Sequence, residues 1–230
     1  MISGLSYYTW EWILLIGAFL VTVIASTTMN STFKQFSKVQ SKTGVTGREA
    51  AARIAYHIGL GNMLISPIGG NLTDHYDPRN KSLSLSQSTF NSTSLAALAV
   101  AAHECGHAQQ DAEGYGPLRL RSSLVPVTQF ASSFSWILIV LGLFLSIGPL
   151  CTLGVVLFSA VVLFQLVTLP VEFDASRRGL RFLEETGLIM PDEKAGARRV
   201  LTAAAMTYVA ALMASIMQLL RLFLMTRRRD

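Results

Sequence analysis

Apolar positions in this chain gather into four runs around one polar stretch. The runs are Trp10–Thr28, Phe134–Ile147, Leu153–Leu169 and Leu201–Met225. A helix needs about 20 residues to cross a bilayer. The first run meets that length with a single break at Glu11, and the last meets it despite Gln218 and Arg221. The middle two are each short, but Gly148-Pro149 between them supplies a turn, so 134–169 reads as a transmembrane hairpin with Pro117–Ser133 as a polar-apolar lead-in. In the polar stretch, Thr46 caps a helix over 47–58 that sets Ala50, Ile54 and Ile58 on one face, and Gly59 and Gly61 end it. Strands are expected near 63–66, 72–76 and 83–86, with Asp77-Pro78-Arg79-Asn80 as a turn. Ser92 or Ser94 then caps a helix reaching about Gln110.

Composition turns these runs into a statement about solvent. The chain is 51% hydrophobic and 14% charged, where a soluble domain carries about 25% charged residues. The excess points to lipid. The net charge of +5 would suit nucleic acid in a soluble protein, but here the basic residues flank apolar runs and no nucleic-acid motif is present, so no nucleic-acid partner is expected. Lys34, Lys38, Lys42 and Arg48 follow the first run and no Lys or Arg precedes it, which puts the N-terminus outside and the polar stretch in the cytoplasm. Arg177, Arg178, Arg181, Lys194, Arg198 and Arg199 agree with that side. Arg227–Arg229 do not, if the last run spans; either the bias fails there or that helix lies along the protein. Two cysteines exclude a disulfide framework, and the N-terminal run reads as a retained anchor instead of a cleaved signal.

The chemistry lies in His103-Glu104-Cys105-Gly106-His107. Histidines four apart project from one helix face, close enough to share an ion, and neutral imidazole suits Zn²⁺. Glu104 sits about 100° around the helix from His103, so it reaches a water beside the ion without binding the ion. There a carboxylate can take the water's proton and pass it to a leaving amine. Gly106 lets another backbone come close. Two polar residues on an alanine-rich helix by chance is the bland alternative. Against it, Leu95–Ala102 is small and apolar, so the helix is buried, and a buried Glu beside two buried His needs a compensating partner.

A catalytic zinc takes three protein ligands and keeps one position for water. Cys105 sits about 200° from His103 and reads as a small core residue. His57, His75 and any acid that returns to the site stay open. Glu172 serves equally well as a ligand or as a membrane-border charge pairing with Arg177 or Arg178.

Five segments carry a resemblance: LTDHYDPR (72–79), VAAHECGHAQQ (100–110), EGYGPLRLRSSLVPV (113–127), LFQLVTLPVEFDASRR (163–178) and AAAMTYVAALMASIMQLLRL (203–222). In content and order they resemble the neutral zinc metallopeptidases of small bacterial membrane proteins, the YugP-like family. The likeness runs over roughly Phe33 to Leu222. That family looks related to membrane gluzincins such as the HtpX-type and CAAX-processing proteases. Those place a transmembrane hairpin after the H-E-x-x-H helix and a glutamate ligand just beyond it. The resemblance implies that Glu172 joins His103 and His107 around one Zn²⁺ per chain. The gluzincin pattern has Asp four residues after the Glu, orienting a ligand histidine; this chain has Ser176 there, so Ser176 or Asp174 is expected to take that part.

The expected fold is a mainly α membrane protein, with about four apolar helices and a small zincin-like α+β catalytic domain carrying a short sheet. Residues 1–30 form a transmembrane anchor and 31–230 the metallopeptidase domain, including hairpin 134–169 and apolar helix 201–225. The expected activity is zinc-dependent endopeptidase cleavage of membrane-associated or misfolded protein or peptide substrates. It would take place at the bacterial cell membrane, with the site on the cytoplasmic side. An extended substrate would add to the edge of strand 72–76, where His75 and Tyr76 stabilise the oxyanion; Tyr208 and Arg177 are weaker candidates. An intramembrane protease would need a long apolar run around His103, but only about eight apolar residues precede it. A zinc-stabilised assembly factor or adaptor without activity would have a closed four-ligand site.

Overall fold

The helix ends follow from local side chains. The Thr46 hydroxyl accepts the Glu49 N–H at 3.2 Å while the Glu49 carboxylate accepts the Thr46 N–H at 2.9 Å. This reciprocal cap starts helix α2 (Gly47–His57), and Gly59 at φ +78 ends it. Of the two serines expected to cap the H-E-x-x-H helix, Ser94 does so: its Oγ accepts the Ala97 N–H at 3.2 Å, opening α4 (Leu95–Ala112).

The computed structural model describes residues 4–227, with side chains over 9–226. Around α2 and α4 the elements are α1 (Gly4–Phe36), β1 (Leu64–Ile68), β2 (His75–Asp77), β3 (Ser82–Ser86), α3 (Gln87–Phe90), α5 (Gly116–Leu145), α6 (Gly148–Glu185) and α7 (Lys194–Arg227). The fold class is as expected: mostly helical, with, among the described residues, a three-stranded sheet and four helices long and apolar enough to cross a membrane, α1, α5, α6 and α7. Met1–Ser3 of the expected anchor, and Arg228 and Arg229 of the basic terminus, lie outside the described residues.

Three local expectations need correction. The strand over 72–76 is shorter, because Leu72 takes the left-handed conformation at φ +55 and extended pairing starts only at His75. The lead-in Pro117–Ser133 is not a separate segment but part of α5, and α6 continues through Pro170 to Glu185. In lipid a backbone that leaves the helix has no water to bond, so a helix absorbs the one N–H that proline lacks. The turn of the hairpin falls at Ser146, φ +57, and Ile147, whereas Gly148 and Pro149 already begin α6.

The chain forms two compact units. One consists of α1 up to Ser26, Arg119–Leu169 and α7 from Thr207; the other consists of Thr27–Leu118 and Pro170–Met206. In the first, small residues let the hairpin helices touch: a Cβ on Gly142 would lie 2.6 Å from Cys151 Sγ, and one on Gly154 2.6 Å from Ile139 Cγ1. In the second, β3 is central, parallel to β1 (Leu64 opposite Ser82) and antiparallel to β2 (Tyr76 opposite Leu83), leaving β2 on an edge. Leu83 and Leu85 alternate inward onto Ile54, Leu95, Leu98, Phe182 and Leu183 to make the core.

Removal of the α2 cap tests its contribution. Thr46→Ala is expected to cost about 1 kcal/mol and Thr46→Ser much less, read as the difference in chemical denaturation of the two variants in detergent.

Candidate metal centre

Two helices meet here at van der Waals contact of their backbones. A Cβ on Gly106 of α4 would lie 2.5 Å from the Ala175 carbonyl oxygen of α6, and a Cβ on Gly179 of α6 would lie 2.9 Å from the Ala102 carbonyl oxygen. Main chain is the obstacle in both cases, so any side chain at either position pushes the helices apart. The crossing brings His103 and His107 of α4 against Glu172 of α6.

The three side chains form a tight buried group. Their candidate ligand atoms all lie within 4.8 Å of one another. Glu172 Oε2 is 3.3 Å from His103 Nε2 and 3.5 Å from His107 Nε2. The rings stand edge to face at 85°, and Glu172 is 1% exposed. Arg177 and Arg178, expected as alternative partners of Glu172, both reach Asp174.

Hydrogen bonds fix how the imidazoles face. Gln110 Nε2 donates to the Val171 carbonyl and to Asp174 Oδ2, each at 2.9 Å. Those two acceptors settle the orientation of the amide, leaving Gln110 Oε1 at 3.0 Å from His107 Nδ1. An amide oxygen only accepts, so Nδ1 carries the hydrogen and the Nε2 of a neutral ring presents a lone pair to Glu172. His103 Nδ1 likewise meets Ser176 Oγ at 3.2 Å. Two imidazole nitrogens and a carboxylate aimed at one point are a donor set for a cation. The electrostatics agree: burial works against an imidazolium at His107, yet the Glu172 carboxylate beside its Nε2 and the nearby Glu104 charge raise its pKa above the ordinary value. Two imidazoles and one carboxylate are a donor set that suits Zn²⁺ and leaves a fourth position.

Glu104 is buried beside this group without being part of it, and its Oε2 accepts the Tyr76 N–H at 3.0 Å. Tyr76 lies on edge strand β2, and its hydroxyl donates to Asp111 Oδ2 at 2.9 Å. Burial, then this bond to a carboxylate, push the Tyr76 phenol above its ordinary range. Cys105 faces the core, its Sγ 3.7 Å from the Ala51 carbonyl, and burial pushes its thiol up. His57 pairs with Glu185 at 3.2 Å. His75 is exposed on β2 with Nδ1 2.9 Å from the Thr73 carbonyl oxygen. Neither His57 nor His75 belongs to the clustered group. Arg177 is largely exposed, and Tyr208 lies on α7.

Sequence reasoning missed Gln110 and Gly179. Gln110 follows His107 by three residues and therefore shares its helix face, which is the signal that was available. Gly179 continues the face of α6 that bears Glu172, Ala175 and Ser176, at offsets of three, four and seven. Both Ser176 and Asp174 reach the group: Ser176 meets His103 directly, and Asp174 holds the amide that meets His107. Arg178 braces this arrangement, donating through Nε to Asp174 at 2.6 Å and through Nη1 to Gln109 at 2.7 Å and Glu113 at 2.6 Å.

A buried histidine pair closed by a glutamate from a second helix is an arrangement found in metallopeptidases. The family model described as "Putative neutral zinc metallopeptidase" matches residues 11–227, and the chain belongs to that family. Among curated proteins, "Putative membrane protease YugP" of Bacillus subtilis (strain 168) is 45% identical over 193 residues, which is 84% of this chain and 86% of that one. No solved structure matches the chain.

The Gln110 amide is testable by metal affinity. Gln110→Leu leaves His107 Nδ1 without its acceptor and is expected to weaken zinc binding about 10–100-fold, measured by competition with a chelator.

Proposed function

We propose that the chain is a membrane-bound, gluzincin-like zinc endopeptidase, with His103, His107 and Glu172 as the metal ligands and Glu104 as general base. One observation carries this reading: three donor atoms crowd within 4.8 Å beside a carboxylate that is not one of them. When bound, the zinc supplies a Lewis acid that polarises the scissile carbonyl and lowers the pKa of a water. Glu104 takes the proton of the attacking water and hands it to the leaving amine. Gln110 holds His107 in the tautomer that offers Nε2, and Ser176 orients the His103 ring.

Substrate binding follows from the edge of β2. The Tyr76 N–H points off that edge and is held by Glu104. An extended peptide that pairs with the edge needs the same N–H, so its entry releases the Glu104 carboxylate toward the water. His75 is next in line on the strand. With Nδ1 tied to the Thr73 carbonyl, the ring can donate to the oxyanion through Nε2 only as an imidazolium. The basic residues that flank the apolar runs support a site on the cytoplasmic side, with membrane-associated or misfolded proteins as substrates in membrane quality control.

The base is tested by Glu104→Gln. The purified variant should keep its zinc by metal analysis and lose cleavage of an unfolded protein substrate; turnover at the wild-type rate would remove Glu104 from the mechanism. For the oxyanion role, His75→Ala is expected to lower kcat roughly 10²-fold with little change in KM. An unchanged kcat would take His75 out of the site.

A further inference from the structure

Inside the membrane unit sits one charge, Arg221, with no ion-pair partner among the described residues. Arg221 is on α7, six residues before Arg227 and so roughly 9 Å from it along the helix. Its Nε is buried and has no hydrogen-bond partner among the described residues. Its Nη1 makes only a long 3.5 Å contact to Gln218 Oε1, a neutral acceptor on the same helix. A guanidinium keeps its charge at any physiological pH, and a charge surrounded by hydrocarbon marks a site of function by default. The acid of this unit among the described residues is Glu11, and no ion pair joins it to Arg221.

Arg221 lines a cavity of about 350 Å³. Leu15 of α1, Trp136 and Ile139 of α5 and Phe158 of α6 give it apolar walls, and Gln218 adds a polar edge. Ser132 and Ser135 also border it. Their hydroxyls donate to the Gln129 and Ser132 carbonyls of their own helix, so they present oxygen lone pairs and do not replace an anion. The cavity therefore offers one fixed positive charge, no negative one, and apolar walls among membrane helices.

We propose that this cavity binds the headgroup phosphate of an anionic phospholipid. The Arg221 guanidinium clamps the phosphate oxygens, and Trp136, Phe158 and Leu15 receive the start of the acyl chains. A guanidinium matches phosphate with paired, charge-assisted hydrogen bonds, and the volume admits a headgroup with its first methylenes instead of a whole lipid. Lipid is favoured over free phosphate because the walls are apolar and the helices that form them are long enough to span the bilayer.

The test uses the full chain, delipidated in detergent and given equal phosphatidylglycerol and phosphatidylcholine with the same acyl chains. Native mass spectrometry should show phosphatidylglycerol retained in about tenfold or greater preference, because both lipids offer a phosphate but the choline of phosphatidylcholine sets a second cation against Arg221. Arg221→Gln should bring the ratio to unity, and inorganic phosphate should not displace the lipid. Equal retention by the wild type, an unchanged preference in Arg221→Gln, or displacement by phosphate alone would each overturn the proposal. Should Arg221→Gln fail to fold, a chain with Trp10→Phe and Trp12→Phe keeps Arg221 and leaves Trp136 as the fluorophore. Brominated phosphatidylglycerol should then quench Trp136 more than brominated phosphatidylcholine, and equal quenching again defeats the idea.

Discussion

Burying the Glu172 carboxylate between two imidazole nitrogens is the constraint on which the rest of this unit depends. Oxygen and nitrogen stand 3.3 and 3.5 Å apart, and the carboxylate faces the Nε2 lone pair of a neutral His107 ring. Several kcal/mol of desolvation attend such a carboxylate unless positive charge meets it. The helix crossing has to hold these atoms together against that repulsion. It does so with main-chain contact, Gly106 on Ala175 and Gly179 on Ala102, where no side chain can rotate to relieve the pressure.

One face of α6 does three jobs at once. Glu172, Ala175, Ser176 and Gly179 recur at helical spacing, so the face that supplies the carboxylate also makes the backbone contact and holds His103. Asp174 and Arg178, one turn apart on the neighbouring face, pair with each other and fix the Gln110 amide that holds His107. Both imidazoles are thus oriented from α6, one through a hydroxyl and one through an amide. Ser176 meets its ring through a hydroxyl, so the negative charge behind the rings sits at Asp174, one group further back.

What the sequence made legible followed from local physics. The Thr46 and Ser94 caps, the buried small-residue helix and the histidine pair all rest on spacing within a few turns. Glu172 did not: it is far from His107 along the chain, its local pattern read equally well as a border charge, and family resemblance favoured it. Hydropathy gave four apolar runs but not their ends, because helices continue past Pro126 and Pro170 into polar sequence where apolar counting stops. The edge strand came out short because one left-handed residue, Leu72, is invisible to an alternation pattern. Gln110 was on the page as a letter, but its part is set by Val171 and Asp174, partners that only the folded chain supplies.

The two cysteines are both fully enclosed, one in each compact unit. Cys105 lies in the core at 0% exposure, and Cys151 at 1% exposure lies where Gly142 meets it across the hairpin. Alkylating reagents attack only a thiolate they can reach, so each sulfur reacts at the rate at which its own surroundings open. Labelling the two positions separately therefore gives an independent clock for the breathing of each half of the molecule, without adding any probe to it.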